Sequence, residues 1–157
     1  MIPSESIKCH ALDALETVLK SKWQTAHDAF EASKAGATSG EVKQESKYDT
    51  RGLEASYLAH GLANAVTEYE AALADLNTCR LAPMTSTISI GSLIHCATKT
   101  GHPVYFLLSK SGGGIEAPFQ ESDVTIITPT APLAKALLGK SSGDSTISPA
   151  FKILNVY

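Results

Sequence analysis

Cysteine is scarce in this chain. The three that occur in 157 residues, Cys9, Cys79 and Cys96, are odd in number and share no repeated spacing, which argues against a disulfide framework. No apolar run approaches the roughly 18 residues needed to span a bilayer, and the opening MIPSESIKCH lacks an apolar secretory segment. A cytoplasmic protein with no membrane partner is expected. A dominant charge sign is missing too: the formal net charge of −3 gives no global drive toward nucleic acid or acidic membranes. The imbalance is local. Residues 1–80 carry eight Lys/Arg against twelve Asp/Glu, a net of −4, and residues 81–157 carry five against four, a net of +1. The N-terminal half is therefore a poor candidate for a stand-alone nucleic-acid binder. What is present is an ordinary globular composition, 43% hydrophobic and 18% charged, in a length that suits one domain or two small ones.

Two helical patterns fill the first half. In residues 4–35, Leu12, Leu15, Leu19, Ala26 and Ala29 follow a three-four spacing, the stripe of a helix packing along one partner. Ser4 or Ser6 is a candidate cap, Glu5 suits the first turn, and Gly36 is a candidate stop. Lys22 interrupts the stripe, with Trp23 beside it as the substitute contact. A second helix is expected to begin between Glu41 and Thr50 and run to about Thr78, with Leu58, Leu62, Ala65, Tyr69, Ala72 and Leu76 in the same spacing. Gly52 and Gly61 each cost it about 1 kcal/mol relative to Ala. Two arms of about 28 residues joined by a short turn form an antiparallel coiled-coil hairpin, each roughly 40 Å long. The same periodicity also fits a helical pair folded onto the C-terminal half, or a dimerising coiled coil.

After Leu81–Thr87, a linker containing Pro83, the period changes to that of strands. Thr87–Ile90, Leu93–Ala97, Val104–Ser109, Val124–Thr128 and a closing run within Ala150–Tyr157 read as strands, with turns at Thr100–Pro103 and Ser111–Gly114. Pro132–Leu138 reads as a short helix stopped by Gly139. The chain is thus expected to be α+β, with residues 1–80 as the hairpin and 81–157 as a small mixed sheet carrying one short helix.

Several motifs are set aside on chemical grounds. Ala134–Ser141 ends in Gly-Lys-Ser, but a phosphate-binding loop needs a Gly where Ala134 stands, and a helix after the loop rather than before it. Gly112–Gly114 reads as a hairpin turn. Cys9-His10 with Cys79, and His95-Cys96, lack zinc-ligand spacing, and adjacent strand residues face opposite ways. Nothing pairs Cys96 with His102 as a nucleophile and its base.

The charged stretch Gly36–Arg51 lies where such a hairpin has its tip, with Glu41, Glu45 and Asp49 among Lys43, Lys47 and Arg51. Exposed acids are ordinarily solvated surface. From a rigid tip placed inside another protein's charged cavity, they are also able to help hold a magnesium ion, which takes one or two protein carboxylates and keeps several waters.

Pro132–Asp144, PLAKALLGKSSGD, resembles the C-terminal signature of the Gre-type transcript cleavage factors, which carry Ser-Pro-Leu, then Ala-Leu-Leu-Gly-Lys, then Gly-Asp. Ile90-Gly91-Ser92-Leu93-Ile94 is similar to the Gly-Ser-x-Val strand that opens the same domain, and Lys152–Tyr157 to its final strand. Gly40–Asp49 resembles the family tip, typically Gly-Asp-Leu, one residue, then Glu-Asn-Ala-Glu-Tyr. The resemblance spans nearly the whole chain in the right order. It implies an FKBP-like C-terminal domain without isomerase activity, and a coiled-coil tip inserted through the secondary channel of bacterial RNA polymerase. There, two tip acids help hold the polymerase's second magnesium while the polymerase hydrolyses the 3′ end of a backtracked RNA. The chain is then a monomeric activator rather than an enzyme, with no cofactor of its own.

On this resemblance the acid positions fall on Glu41, which would share the magnesium, and on Gln44, where the family has a second acid; Glu45 follows immediately. Neighbouring helical residues differ by roughly 100° in direction, so Glu45 replaces the missing acid only at an irregular tip. Lys43, Gln44, Lys47, Tyr48 and Arg51 would meet the polymerase channel or the nascent RNA, and Pro132 and Leu133 the polymerase from the C-terminal domain. Ala131 stands where the family has Ser. Two alternatives accompany this expectation: a non-cleaving regulator of the same channel, and a coiled-coil adaptor unrelated to transcription. A prolyl isomerase is disfavoured, since Phe106, Phe119 and Phe151 are too scattered to specify its aromatic pocket.

Overall fold

The computed structural model describes residues 3–38 and 51–157. Helix α1 spans Ser4–Thr38 and helix α2 Arg51–Leu81. At 1.5 Å per residue they are about 52 and 46 Å long, longer than the expected arms. α1 starts one residue after Pro3, whose carbonyl accepts from Ser6 N–H at 2.9 Å and Ile7 N–H at 3.3 Å. Pro3 therefore occupies the cap position in place of Ser4 or Ser6, and the fixed φ of proline suits a helix entrance. Gly36 does not stop α1, which continues to Thr38. A glycine costs a helix about 1 kcal/mol without breaking its hydrogen bonding, so it ends one only when the chain also turns. α2 runs three residues past Thr78; its expected start before Arg51 lies outside the described residues.

The stripes meet as their spacing demands. Leu12, Leu15, Leu19, Ala72 and Leu76 are buried, and Ala26 nearly so. Toward the far end the packing thins: Leu62 and Ala65 are half-buried and Leu58 is exposed. Trp23 supplies the contact that Lys22 leaves out, donating its indole N–H to Glu70 Oε1 at 3.1 Å across the hairpin and stacking on His27 at 4.8 Å. Near the base, Arg80 of α2 clamps α1 by pairing with Asp13 at 2.9 Å and Glu16 at 3.1 Å.

Five strands follow: β1 Leu93–Ala97, β2 Pro103–Leu108, β3 Glu116–Phe119, β4 Ser122–Ile127 and β5 Lys152–Val156, with helix α3 at Pro132–Leu137. The sheet order is β3-β4-β2-β1-β5, with β2 and β4 parallel and the other pairs antiparallel. The fold is α+β, as expected, with three differences in detail. β3 is an additional strand, and its Pro118 is tolerated because β3 is an edge that pairs with β4 alone. Ser111–Gly114 is not a hairpin turn between paired neighbours. It starts a crossover to β3, two places from β2, and pairs back to β4 through Gly114 N–H to Ile126 O at 2.9 Å. Thr87–Ile90 is not a strand. Its backbone lies along the end of α3 instead, with Ile88 N–H on Lys140 O at 2.8 Å and Gly139 N–H on Ile88 O at 3.0 Å.

Period-two alternation splits the sheet between two cores. Leu93, Tyr105, Leu107, Ala117, Phe119, Val124 and Ile126 face the hairpin base, joining Ala11, Leu12, Leu15, Leu19, Ala72, Leu76 and Cys79. Their neighbours Ile94, Cys96, Leu108, Ile127 and Ile153 face the other way, against Ile88 and the Ala134 and Leu137 of α3. The sheet is thus covered on one face by the hairpin and on the other by α3.

Ala131 caps α3 without a side-chain hydrogen bond. Ala131→Ser is expected to stabilise the protein by about 1 kcal/mol, by offering an oxygen to the orphan N–H groups of the first turn. Urea unfolding checks it: an unchanged midpoint would show that this cap geometry is closed to a serine.

Candidate functional site

The structure places the expected site residues unevenly. Glu41, Lys43, Gln44, Glu45, Lys47 and Tyr48 lie outside the described residues, as does Asp49; Arg51 opens α2, with its side chain not described. What is described is the device that carries them. Leu19 is the last residue of α1 in the hairpin–sheet core, and Lys20–Thr38 extends 19 residues further, roughly 28 Å of helix. Residues 39–50 connect that end to the start of α2, so in sequence the acidic positions fall between two long arms.

The C-terminal signature has a structural explanation residue by residue. Pro132 is the first residue of α3 and exposed, its missing N–H costing nothing there. Leu133 is half-buried against the second core, while Ala134 and Leu137 are fully buried in it. Gly139 follows the last turn at φ +78°, the left-handed conformation that ends a helix most readily as glycine. Helix before and turn after is the reverse of a phosphate-binding loop. Asp144 then accepts Ser141 N–H through Oδ2 at 2.8 Å, closing the turn that leads toward β5. Upstream, Gly91 of the Gly-Ser pair has φ +98°, and a Cβ there would lie 2.7 Å from Ala82 Cβ, so the linker can reach this corner only past a glycine. The signature builds the sheet's α3 face and leaves Pro132 on the surface.

The remaining candidates separate. His95 and Cys96 do point to opposite faces: His95 stacks on Tyr105 at 4.4 Å, while Cys96 lies in the second core. Burial pushes the Cys96 thiol up to about 12, far from thiolate chemistry. All three cysteines are free thiols. Among the described residues no group of three His, Cys, Asp or Glu is placed to hold a metal. Phe119 lies in the first core, whereas Phe106 and Phe151 meet edge to face at 5.5 Å at the second, so the three share no pocket.

Two features at the hairpin base are not singled out by motif or spacing alone. Asp75 of α2 accepts a hydrogen bond from Ser111, tying the hairpin to the loop after β2. Lys8 is buried, and burial pushes its ammonium below the usual lysine range, with the thiols of Cys79 and then Cys9 pulling it back. Lys8 sits one helical turn before Leu12 on the same stripe, a signal available in the sequence.

The described residues define a class: a long antiparallel helical hairpin based on a five-stranded mixed sheet with one short helix. No family model and no curated protein matches the chain. Among solved structures it is similar to GreA factor homolog 1 (Gfh1) of Thermus thermophilus, at 16% identity over 94% of this chain and 95% of that one, with a TM-score of 0.33. It is similar also to Thermus aquaticus Gfh1, at 17% identity over 92% and 95% with a TM-score of 0.34. A further structure, described as that of the transcription factor Gfh1, matches at 16% identity over 94% of each chain with a TM-score of 0.35. Likenesses this loose transfer no residue roles, and the fold stands on the chain's own elements.

Proposed function

We propose that this chain binds a bacterial RNA polymerase through its secondary channel and modulates transcript elongation. The observation that supports it best is the hairpin, which carries an acid-bearing segment on arms extending roughly 28 Å beyond the sheet-packed base. A probe of that length suits a narrow channel, and a broader sheet domain suits the channel's entrance. Residues 1–80 then form the part that reaches and 81–157 the part that seats, with Pro132 and Leu133 toward the polymerase. The resemblance to Gre-type signatures in both halves of the chain supports the same reading.

Within it, Glu41 is the principal acid for the polymerase's second magnesium, with Glu45 as the second. Lys43, Gln44, Lys47, Tyr48 and Arg51 face the channel and the RNA 3′ end. The chain supplies carboxylates and position; hydrolysis belongs to the polymerase. A second reading, a non-cleaving regulator of the same channel, is favoured by one residue: Gln44 is neutral and a poor magnesium ligand where the family has an acid.

Halted, backtracked elongation complexes carrying 3′-labelled RNA separate these readings. Release of short 3′ fragments that is lost with Glu41→Ala supports cleavage. Binding with altered elongation but no release supports the regulator. A chain that does not bind polymerase sinks both, and leaves the coiled-coil adaptor.

A further inference from the structure

The base of the hairpin, at the opposite end from the charged segment, holds a cleft of about 450 Å³ where the first turns of α1 meet the last turn of α2 and the linker. Leu81, Pro83 and Met84 give it apolar walls, Leu12 closes its floor from within the core, and Glu5 and Lys8 line it as well. Lys8 is 4% exposed, and its Nζ has no hydrogen-bond partner among the described residues. Burial disfavours its charge, and the thiols of Cys79 and Cys9 oppose that only in part. A buried cation without an anion is destabilising, and the stripe position it occupies would favour the protein more as a leucine or methionine. Such a residue makes physical sense where the missing anion arrives with a ligand.

The charges nearby narrow the class. Arg80, the other cation lining the cleft, is already engaged by Asp13 at 2.9 Å and Glu16 at 3.1 Å. Among the described residues lining the cleft, a dianion such as phosphate would therefore face one uncommitted cation and the carboxylate of Glu5. A monoanion with an apolar remainder matches both the single charge and the walls, and the volume suits a small molecule. We propose that this cleft binds a small molecule bearing one carboxylate on an apolar body, with the carboxylate on Lys8 and the body against Leu81, Pro83 and Met84. The proposal uses no residue of the charged segment, so it stands or falls apart from the transcription reading.

Calorimetric titration of the full chain with hexanoate, hexan-1-ol and inorganic phosphate tests it. Hexanoate is expected to bind with a Kd in about the millimolar range, and the other two at least about tenfold more weakly. Lys8→Met should weaken hexanoate about tenfold while melting at a higher temperature than the parent, since the uncompensated charge is gone. Glu5→Gln, a change at an exposed position, should tighten hexanoate. Equal affinity for hexanol, tighter binding of phosphate, or hexanoate binding indifferent to Lys8→Met would each overturn the proposal.

Discussion

Leu15→Ala is expected to cost about 3 kcal/mol of unfolding free energy, whereas Leu62→Ala should cost less than about 1.5 kcal/mol. Both leucines stand on the same kind of helical stripe, and sequence spacing does not distinguish them. The structure does. Leu15 is fully buried where α1 meets both α2 and the sheet, and its truncation leaves a cavity walled on two sides. Leu62 is half-buried beyond the sheet, beside small residues and solvent, where loss of its methyl groups is partly made good by water. Trp23 is the only tryptophan and sits on the hairpin against Glu70, so its fluorescence reports the hairpin alone. Far-ultraviolet circular dichroism reports helices and sheet together. Because one core joins Leu12, Leu15 and Leu76 to Leu93, Leu107 and Ile126, both signals should shift by the same amount in Leu15→Ala. If the fluorescence midpoint moved while a sheet signal stayed in place, the shared core would not couple the two parts, and residues 1–80 would unfold as an independent domain.

The same contrast explains which parts of the fold were readable beforehand. Stripes at three-four spacing and runs of β-branched residues encode burial directly, so β1 was legible to the residue and β2, β4, β5 and α3 to within two residues at most ends. β3 was not, because Glu116–Phe119 has four residues and a proline, and only its place at the sheet edge makes that sequence a strand. Thr87–Ile90 has strand-like composition, but its backbone groups are used by Gly139 and Lys140, partners some fifty residues away that no local window contains. The base of the hairpin failed for a different reason. Arg80 with Asp13 and Glu16 is a contact across two helices, and Lys8 carries the wrong chemistry for the stripe it continues, so an apolar count passes over it. Positions where local pattern and chemistry disagree are where function or strain is to be sought.

Gln44→Glu is expected to raise transcript cleavage at least about tenfold in backtracked polymerase complexes, if the tip acts through a shared magnesium. The physical case rests on what an amide cannot do. A magnesium ion prefers anionic oxygen, and a carboxamide oxygen carries no net charge to offset the cation or to lower the pKa of its water. With Gln44 at the expected second-acid position, any second carboxylate beside Glu41 has to come from Glu45, which turns about 100° away from position 44 on a helix. Restoring a second at position 44 adds charge three residues from Glu41, the spacing that places two side chains on one face of a regular helix and the one at which the family carries its acid pair. The arms must be compared at equal occupancy of the polymerase, since the substitution also changes the charge entering the channel. Glu41→Ala should abolish cleavage in the Gln44→Glu background as well, because the pair acts together and not as a sum. Cleavage that stays at the parent level in Gln44→Glu, with binding intact, would remove the magnesium account and leave a channel-binding regulator whose tip works by occupancy alone.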